Sequence, residues 1–237
     1  MESTLAEPST RTVERALQLL GSVCDAGSLT LADAARGTEL SASTALRLLR
    51  TLESTGFVRK DEDGAYRPGL RIVQLGAQAL SHESIVSLTA PALERIVDAT
   101  GESAYLIVHA HHGPGGDHGL YLAMREGTHS VRHASWVGRT VPLDGSASGT
   151  VLTGNTPESG YVVVDRGVEA DVTAISAPIS VQSHAANGTV TGTRVIAALS
   201  VVAPSYRMSP EKIRAIGEQV AAEARNVLTA YQQENQP

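Results

Sequence analysis

The segment from Ser41 to Gly56 limits the possible folds more than any other stretch of this chain. Ala45, Leu48, Leu49 and Leu52 fall at i, i+3, i+4 and i+7, the spacing that gathers apolar side chains on one face of an α-helix. Ser41 offers an N-cap hydroxyl and Gly56 a C-terminal stop. With that face buried, Ser43, Thr44, Arg47, Arg50 and Thr51 must point outward. Hydroxyls in the first turn followed by two arginines suit duplex DNA. Hydroxyls and backbone N–H groups hold phosphates, and Arg can pair bidentately with a guanine edge. Alone, two arginines on an amphipathic helix describe a solvated face, so the neighbouring segments decide.

Those neighbours form a recognisable series. Arg11 to Ala26 carries Val13, Ala16, Leu17, Leu20, Val23 and Cys24 at helical spacing, which predicts an apolar face with Cys24 in the core, and Gly27 ends it. A short helix follows, with Thr30 as N-cap, Asp33 close to a capping-box position, and Leu31, Ala34 and Ala35 on its apolar side. After Gly56 come Phe57-Val58-Arg59-Lys60, the turn Asp61-Glu62-Asp63-Gly64, and Ala65-Tyr66-Arg67-Pro68, which predict a hairpin. Three helices and a hairpin make a winged helix-turn-helix. The candidate DNA-facing residues are Thr30, Ser41, Ser43, Thr44, Arg47, Arg50, Arg59 and Lys60. The net charge of −6 argues against generic affinity for nucleic acid. Locally, however, Arg47, Arg50, Arg59 and Lys60 face only Glu53 between Ser41 and Lys60.

The remainder reads as α+β. Residues 1–10 form a polar arm, 11–69 the winged helix-turn-helix, 70–84 a linker helix, and 85–237 a second domain. Ile85 to Thr100 is helical, with Pro91 predicting a bend or a new start. Strands are expected at Ala104–His109, Gly119–Met124, Val131–Trp136, Gly160–Asp165, Ala174–Val181 and Val195–Val202, with helices at Ser146–Leu152 and Ser209–Gln233. Mixed strands flanked by helices imply an antiparallel sheet.

The chain resembles the IclR family of bacterial transcription regulators. The resemblance rests on Glu14-Arg15-Ala16-Leu17-Gln18-Leu19-Leu20, Ser28-Leu29-Thr30-Leu31-Ala32-Asp33-Ala34-Ala35 and Ser43-Thr44-Ala45-Leu46-Arg47-Leu48-Leu49. It continues through Thr51 to Val58 and Tyr66-Arg67-Pro68-Gly69-Leu70, and more weakly to about Arg207. It implies a repressor that binds double-stranded operator DNA as a homodimer or dimer of dimers, and a GAF-like C-terminal domain that binds a small effector. Val141 to Gly149 resembles the family's loop-to-helix element beside the effector. Its small residues and helix N-terminus could suit an anion, or form a plain tight turn. The family pocket carried onto this chain gives Ala147, Ser148, Ala174 and Ser200, with Asp165 in a neighbouring acidic element. Ala174 stands where carboxylate-sensing members often have Cys, and Val202 where a second serine is common. Both changes remove polar groups and point away from a small oxoacid, leaving a larger or more apolar ligand, or no ligand.

Other function classes find less support. No run of about 18 apolar residues predicts a membrane span, and the polar N-terminus lacks the pattern of a signal peptide. With one cysteine there is no internal disulfide. A cytoplasmic protein without a cofactor is expected. Gly145-Ser146-Ala147-Ser148-Gly149 is not a nucleophile elbow, because its central residue is Ala147. His109, His111, His112 and His118, with Asp117, are the best metal-ligand candidates, since His109 and His111 would share a strand face. They support the alternative of a metal-dependent enzyme, although Gly113-Pro114-Gly115-Gly116 reads as a loop with solvated histidines. Asn187-Gly188-Thr189 fits a glycosylation sequon that a cytoplasmic chain would not use.

Overall fold

The computed structural model describes residues 10–81, 84–110, 117–133, 135–184 and 190–234. The chain divides into two compact units, Met1–His82 and Glu83–Pro237.

The first unit contains α1 (Arg11–Ala26), α2 (Leu31–Gly37), α3 (Ala42–Ser54), β1 (Val58–Lys60), β2 (Tyr66–Pro68) and α4 (Leu70–Ser81). Strands β1 and β2 pair antiparallel with Arg59 opposite Arg67. Leu29 and Tyr66 exchange backbone hydrogen bonds of 2.9 and 2.8 Å, which tie the wing to the segment before α2. Gly56 adopts a φ of 77°, and the turn lets the Phe57 N–H reach Leu52 O at 2.8 Å. The core joins Leu19 and Val23 to Ala34, Leu48, Leu49 and Leu52, and is closed by Val58 and Tyr66.

One expected face is turned. In α1, Leu19 and Val23 are buried, whereas Val13, Leu17 and Cys24 are exposed. The run Leu17-Gln18-Leu19-Leu20 offers apolar groups on two sides of the helix, and α2, α3 and β2 pack against only one of them. Helix α4 leaves Leu70, Val73, Leu75 and Leu80 exposed.

The second unit begins with α5 (Ser84–Thr100), which runs through Pro91 without a break and ends at Gly101. A six-stranded antiparallel sheet follows in the order β5-β4-β3-β8-β7-β6. Its strands are β3 (Ser103–Ala110), β4 (His118–Arg125), β5 (Thr140–Pro142), β6 (Val162–Asp165), β7 (Val172–His184) and β8 (Val190–Pro204). Helix α6 (Ala147–Leu152) precedes β6, and α7 (Pro210–Glu234) closes the described chain. The period of two along each strand builds two cores. Ala104 and Leu106 of β3, Ile175 and Ala177 of β7, and Leu199 and Val201 of β8 pack with α5 and α7. Tyr105, Ile107, Ala198 and Val202 face the other way, toward Val151 and Leu152 of α6.

The strand expected at Val131–Trp136 does not form. The described residues there are irregular, and the edge position beside β4 is taken by the short β5, which pairs with His118–Leu120. Side chains satisfy the backbone of this segment instead: Ser103 Oγ donates to His133 O at 3.2 Å, and Arg207 Nη1 to Val131 O at 2.8 Å. Arg207 also forks onto Glu102 at 2.7 and 2.5 Å, and Lys212 Nζ lies 3.6 Å from the same carboxylate. Glu102 is fully buried. These ion pairs fasten the segment to the start of β3 and the chain leading into α7.

Candidate functional site: an exposed helix face and a small cavity

Two sites emerge, one in each unit. In the first, Ser41 caps α3, its Oγ accepting from Thr44 N at 3.3 Å. Ser43 Oγ and Thr44 Oγ1 lie 3.2 and 2.9 Å from that same oxygen, so three hydroxyls cluster at the helix start. Ala45, Leu48, Leu49 and Leu52 are all buried. Ser43, Arg47, Arg50, Thr51 and Ser54 line an open concave surface on the opposite side. The wing is less free than its composition suggests. Arg59 Nη1 and Arg67 Nε both donate to the carboxylate of Asp61, and Lys60 Nζ sits 5.6 Å from the Tyr66 ring centre. Thr30 serves α2: its Oγ1 accepts from Asp33 N at 3.2 Å and donates to Asp33 Oδ2 at 2.8 Å.

In the second unit, a cavity of about 30 Å3 lies between the sheet and α6, room for little more than bound water. Of the residues expected there, Ala147, Ser148, Ala174 and Ser200 line it. Asp165 does not. Its Oδ1 accepts from Thr173 and Ser205, both at 2.6 Å, which binds β6 to β7 and to the chain after β8. These hydroxyls, Ser205 first, hold the Asp165 carboxyl below the usual range. Helix α6 offers an anion less than expected. Ser146 Oγ already accepts from Gly149 N at 3.0 Å and donates to Pro142 O at 2.5 Å. Gly149 must be glycine, since a Cβ there would stand 1.9 Å from Leu143 O.

Sequence reasoning missed the aromatic and titratable part of the wall, formed by Tyr121, His133, Trp136 and Glu169. Tyr121 meets Tyr105 and Trp136 edge-on at centroid separations of 5.1 and 5.5 Å. His133 Nδ1 is 2.6 Å from the Tyr105 hydroxyl, and its Nε2 is 3.0 Å from Glu169 Oε1. A carboxylate can only accept, so Nε2 carries the proton; in the neutral imidazole Nδ1 is then the acceptor and the Tyr105 O–H donates to it. Burial, followed by the neighbouring Tyr121, pushes the Tyr105 hydroxyl well up. Burial and then Glu169 push Tyr121 up to about 12. Both phenols therefore remain donors at neutral pH. The sole tryptophan, in a segment that also holds a histidine, was the available signal.

The candidate metal ligands do not assemble among the described residues. His109 Nε2 is 3.7 Å from Asp117 Oδ2, and no group of three His, Cys, Asp or Glu converges there. His111, His112 and the sequon at Asn187 lie outside the described residues.

Comparison with known proteins matches both units. The IclR helix-turn-helix domain matches residues 12–62, and the bacterial transcriptional regulator IclR C-terminal domain matches residues 77–159. The chain belongs to the IclR family. It is similar to the HTH-type transcriptional repressor AllR of Klebsiella pneumoniae, with 25% identity over 95% of this chain and 91% of that protein. The fold is shared with an IclR regulator from Alicyclobacillus acidocaldarius, with a TM-score of 0.74 and 20% identity over 94% of this chain and 99% of that one. An IclR homologue from Microbacterium hydrocarbonoxydans, solved with 4-hydroxybenzoate, has a TM-score of 0.69 and 24% identity over 92% of this chain and 99% of that one. This IclR-family chain is a transcription regulator and not an enzyme. Among the described residues, no helix is long and apolar enough to cross a membrane.

Proposed function

We propose that this chain is a cytoplasmic repressor that reads a pseudo-palindromic operator through α3 and releases or tightens it when a small molecule enters the cavity beside α6. The geometry of α3 carries the reading: a hydroxyl-capped helix buries Ala45, Leu48, Leu49 and Leu52 and presents Ser43, Arg47, Arg50 and Thr51 outward. Ser43, Thr44 and Arg47 lie toward the N-terminal part of the helix, where base edges are read, with Arg50 nearer the backbone. Lys60 and Arg59 reach phosphates from the wing. A homodimer sets two copies of α3 about 34 Å apart, one helical turn of DNA. Exposed Val13 and Leu17 on α1, and Leu70, Val73, Leu75 and Leu80 on α4, support self-association. Ala147, Ser148, Ala174 and Ser200 contact the effector, which acts through its differential affinity for the DNA-competent and incompetent states.

The test is a fluorescence-anisotropy titration against the gene's own upstream duplex and a scrambled one, at two salt concentrations. Preference for the native duplex by about 10³-fold or more, with a steep salt slope, supports the reading. No preference and no salt dependence would reject it. Arg47→Ala is expected to cost ~1–3 kcal/mol and relax the sequence preference. An unchanged specificity ratio would remove Arg47 from base reading.

A further inference from the structure

The cavity has a polarity that the helix-terminus argument does not anticipate. Among the described lining residues, Glu169 is the only Asp or Glu, and there is no Lys or Arg. The hydrogen-bonded chain runs one way: Tyr105 O–H donates to His133 Nδ1, and His133 Nε2–H donates to Glu169. The carboxylate at its end is therefore an acceptor. Tyr121 and Trp136 line the same cavity and offer aromatic rings to a cation; Arg139, outside the lining, already stands 5.9 Å from the Trp136 ring centre.

An open groove adjoins the cavity at the same residues. This groove of about 460 Å3 shares His133, Glu169 and Val172 with the small inner cavity. The His133–Glu169 hydrogen bond stands at their boundary. Arg132 and Arg166 line the groove and not the cavity. Each has an acid nearby: Glu126 is 2.8 Å from Arg132, and Asp165 is 3.8 Å from Arg166. A ligand that enters from the groove and parts His133 from Glu169 leaves a partly buried carboxylate needing a donor.

We propose that the cavity takes a small organic cation, a primary ammonium on an apolar or aromatic body, with Glu169 as the residue that selects its charge. The ammonium replaces His133 Nε2–H as the donor to Glu169, and the body rests against Trp136 and Tyr121. The inference rests on the reading of this cavity as the effector site.

Trp136 is the chain's single tryptophan, so intrinsic fluorescence reports on the cavity wall directly. The probes are benzylamine, protonated at neutral pH, and benzoate, which has a similar ring and the opposite charge. They are titrated into the full chain and into Glu169→Gln, with thermal unfolding as the check on folding. Benzylamine is expected to give a saturable change and to bind at least about tenfold more tightly than benzoate. Glu169→Gln should lose most of that preference. Tighter binding of benzoate, a preference unchanged in Glu169→Gln, or no saturable response to either probe would overturn the proposal. Operator affinity measured with each probe separates the two readings. If benzylamine binds and operator affinity does not move, the charge assignment stands and the effector reading falls. If benzoate alone binds and moves operator affinity, the effector reading stands and the charge assignment falls.

Discussion

Asp61 sets how much positive charge the wing can offer to DNA. It holds both Arg59 and Arg67, so two guanidinium groups reach a phosphate only by leaving a carboxylate already in place. Asp61→Asn keeps the side chain's shape and removes that competition. Affinity is expected to rise for all duplexes alike, and the slope of log K against log salt to steepen by about one for each additional phosphate neutralised. Anisotropy at several salt concentrations checks this, and an unchanged slope would mean the wing arginines do not reach the backbone. Asp165 acts on stability instead. Ser205 and then Thr173 lower its carboxyl in the folded state. Its contribution is therefore present above the unfolded value of about 3.9 and is lost as pH falls through the lower folded value. Asp165→Asn should lower the urea midpoint near neutral pH and show a smaller further loss on acidification than the parent chain. It should leave ligand binding at the cavity unaltered, because the side chain does not line it.

At the scale of elements, α3 depends on its first residue. Ser41 satisfies Thr44 N and anchors the hydroxyl cluster, so Ser41→Ala is expected to cost about 1 kcal/mol of stability, as loss of an N-cap does. Ser41→Asp should restore the cap in a denaturant titration yet weaken DNA binding by adding a negative charge at the reading end. A Ser41→Ala variant as stable as the parent would show that the cap is dispensable. Helix α3 was legible in the sequence because its stripe is local and has one solution: Ala45, Leu48, Leu49 and Leu52 share a single face. Helix α1 was not, because Leu17 to Leu20 presents two faces and only tertiary packing selects Leu19 over Leu17. The 131–136 segment misled for a different reason. Val131 and Trp136 give it a strand-like composition, but Ser103 and Arg207 supply the hydrogen bonds a ladder would have made. The same limit applies to the cavity. Ala147, Ser148, Ala174 and Ser200 could be carried over from the family, whereas His133 and Glu169 are 36 residues apart and meet only through the fold. Asp165 was attractive as an acidic neighbour, but hydrogen bonds to distant Ser205 hold it elsewhere.

The molecule as a whole carries a net charge of −6, which repels a polyanion at long range. One reading head with a few arginines gains little against that background, whereas two joined heads multiply their effective concentration at the operator. In the proposed homodimer, the exposed apolar side chains of α1 and α4 join them. Leu70 is 82% exposed and Val73 is 65% exposed, values that are costly to leave in water when both sit on one short helix. Neither side chain belongs to the core of the first unit, so Leu70→Gln combined with Val73→Gln should leave the fold intact. The paired change is expected to shift sedimentation toward the monomer and to weaken binding to a full operator by about tenfold or more, as loss of bivalent engagement requires. Binding to an isolated half-site should stay within about twofold, since α3 is untouched. If the parent chain sediments as a monomer while bound to its operator, the dimer is wrong. If full-site and half-site binding fall together, the substitutions have disturbed the reading head and not the pairing of heads.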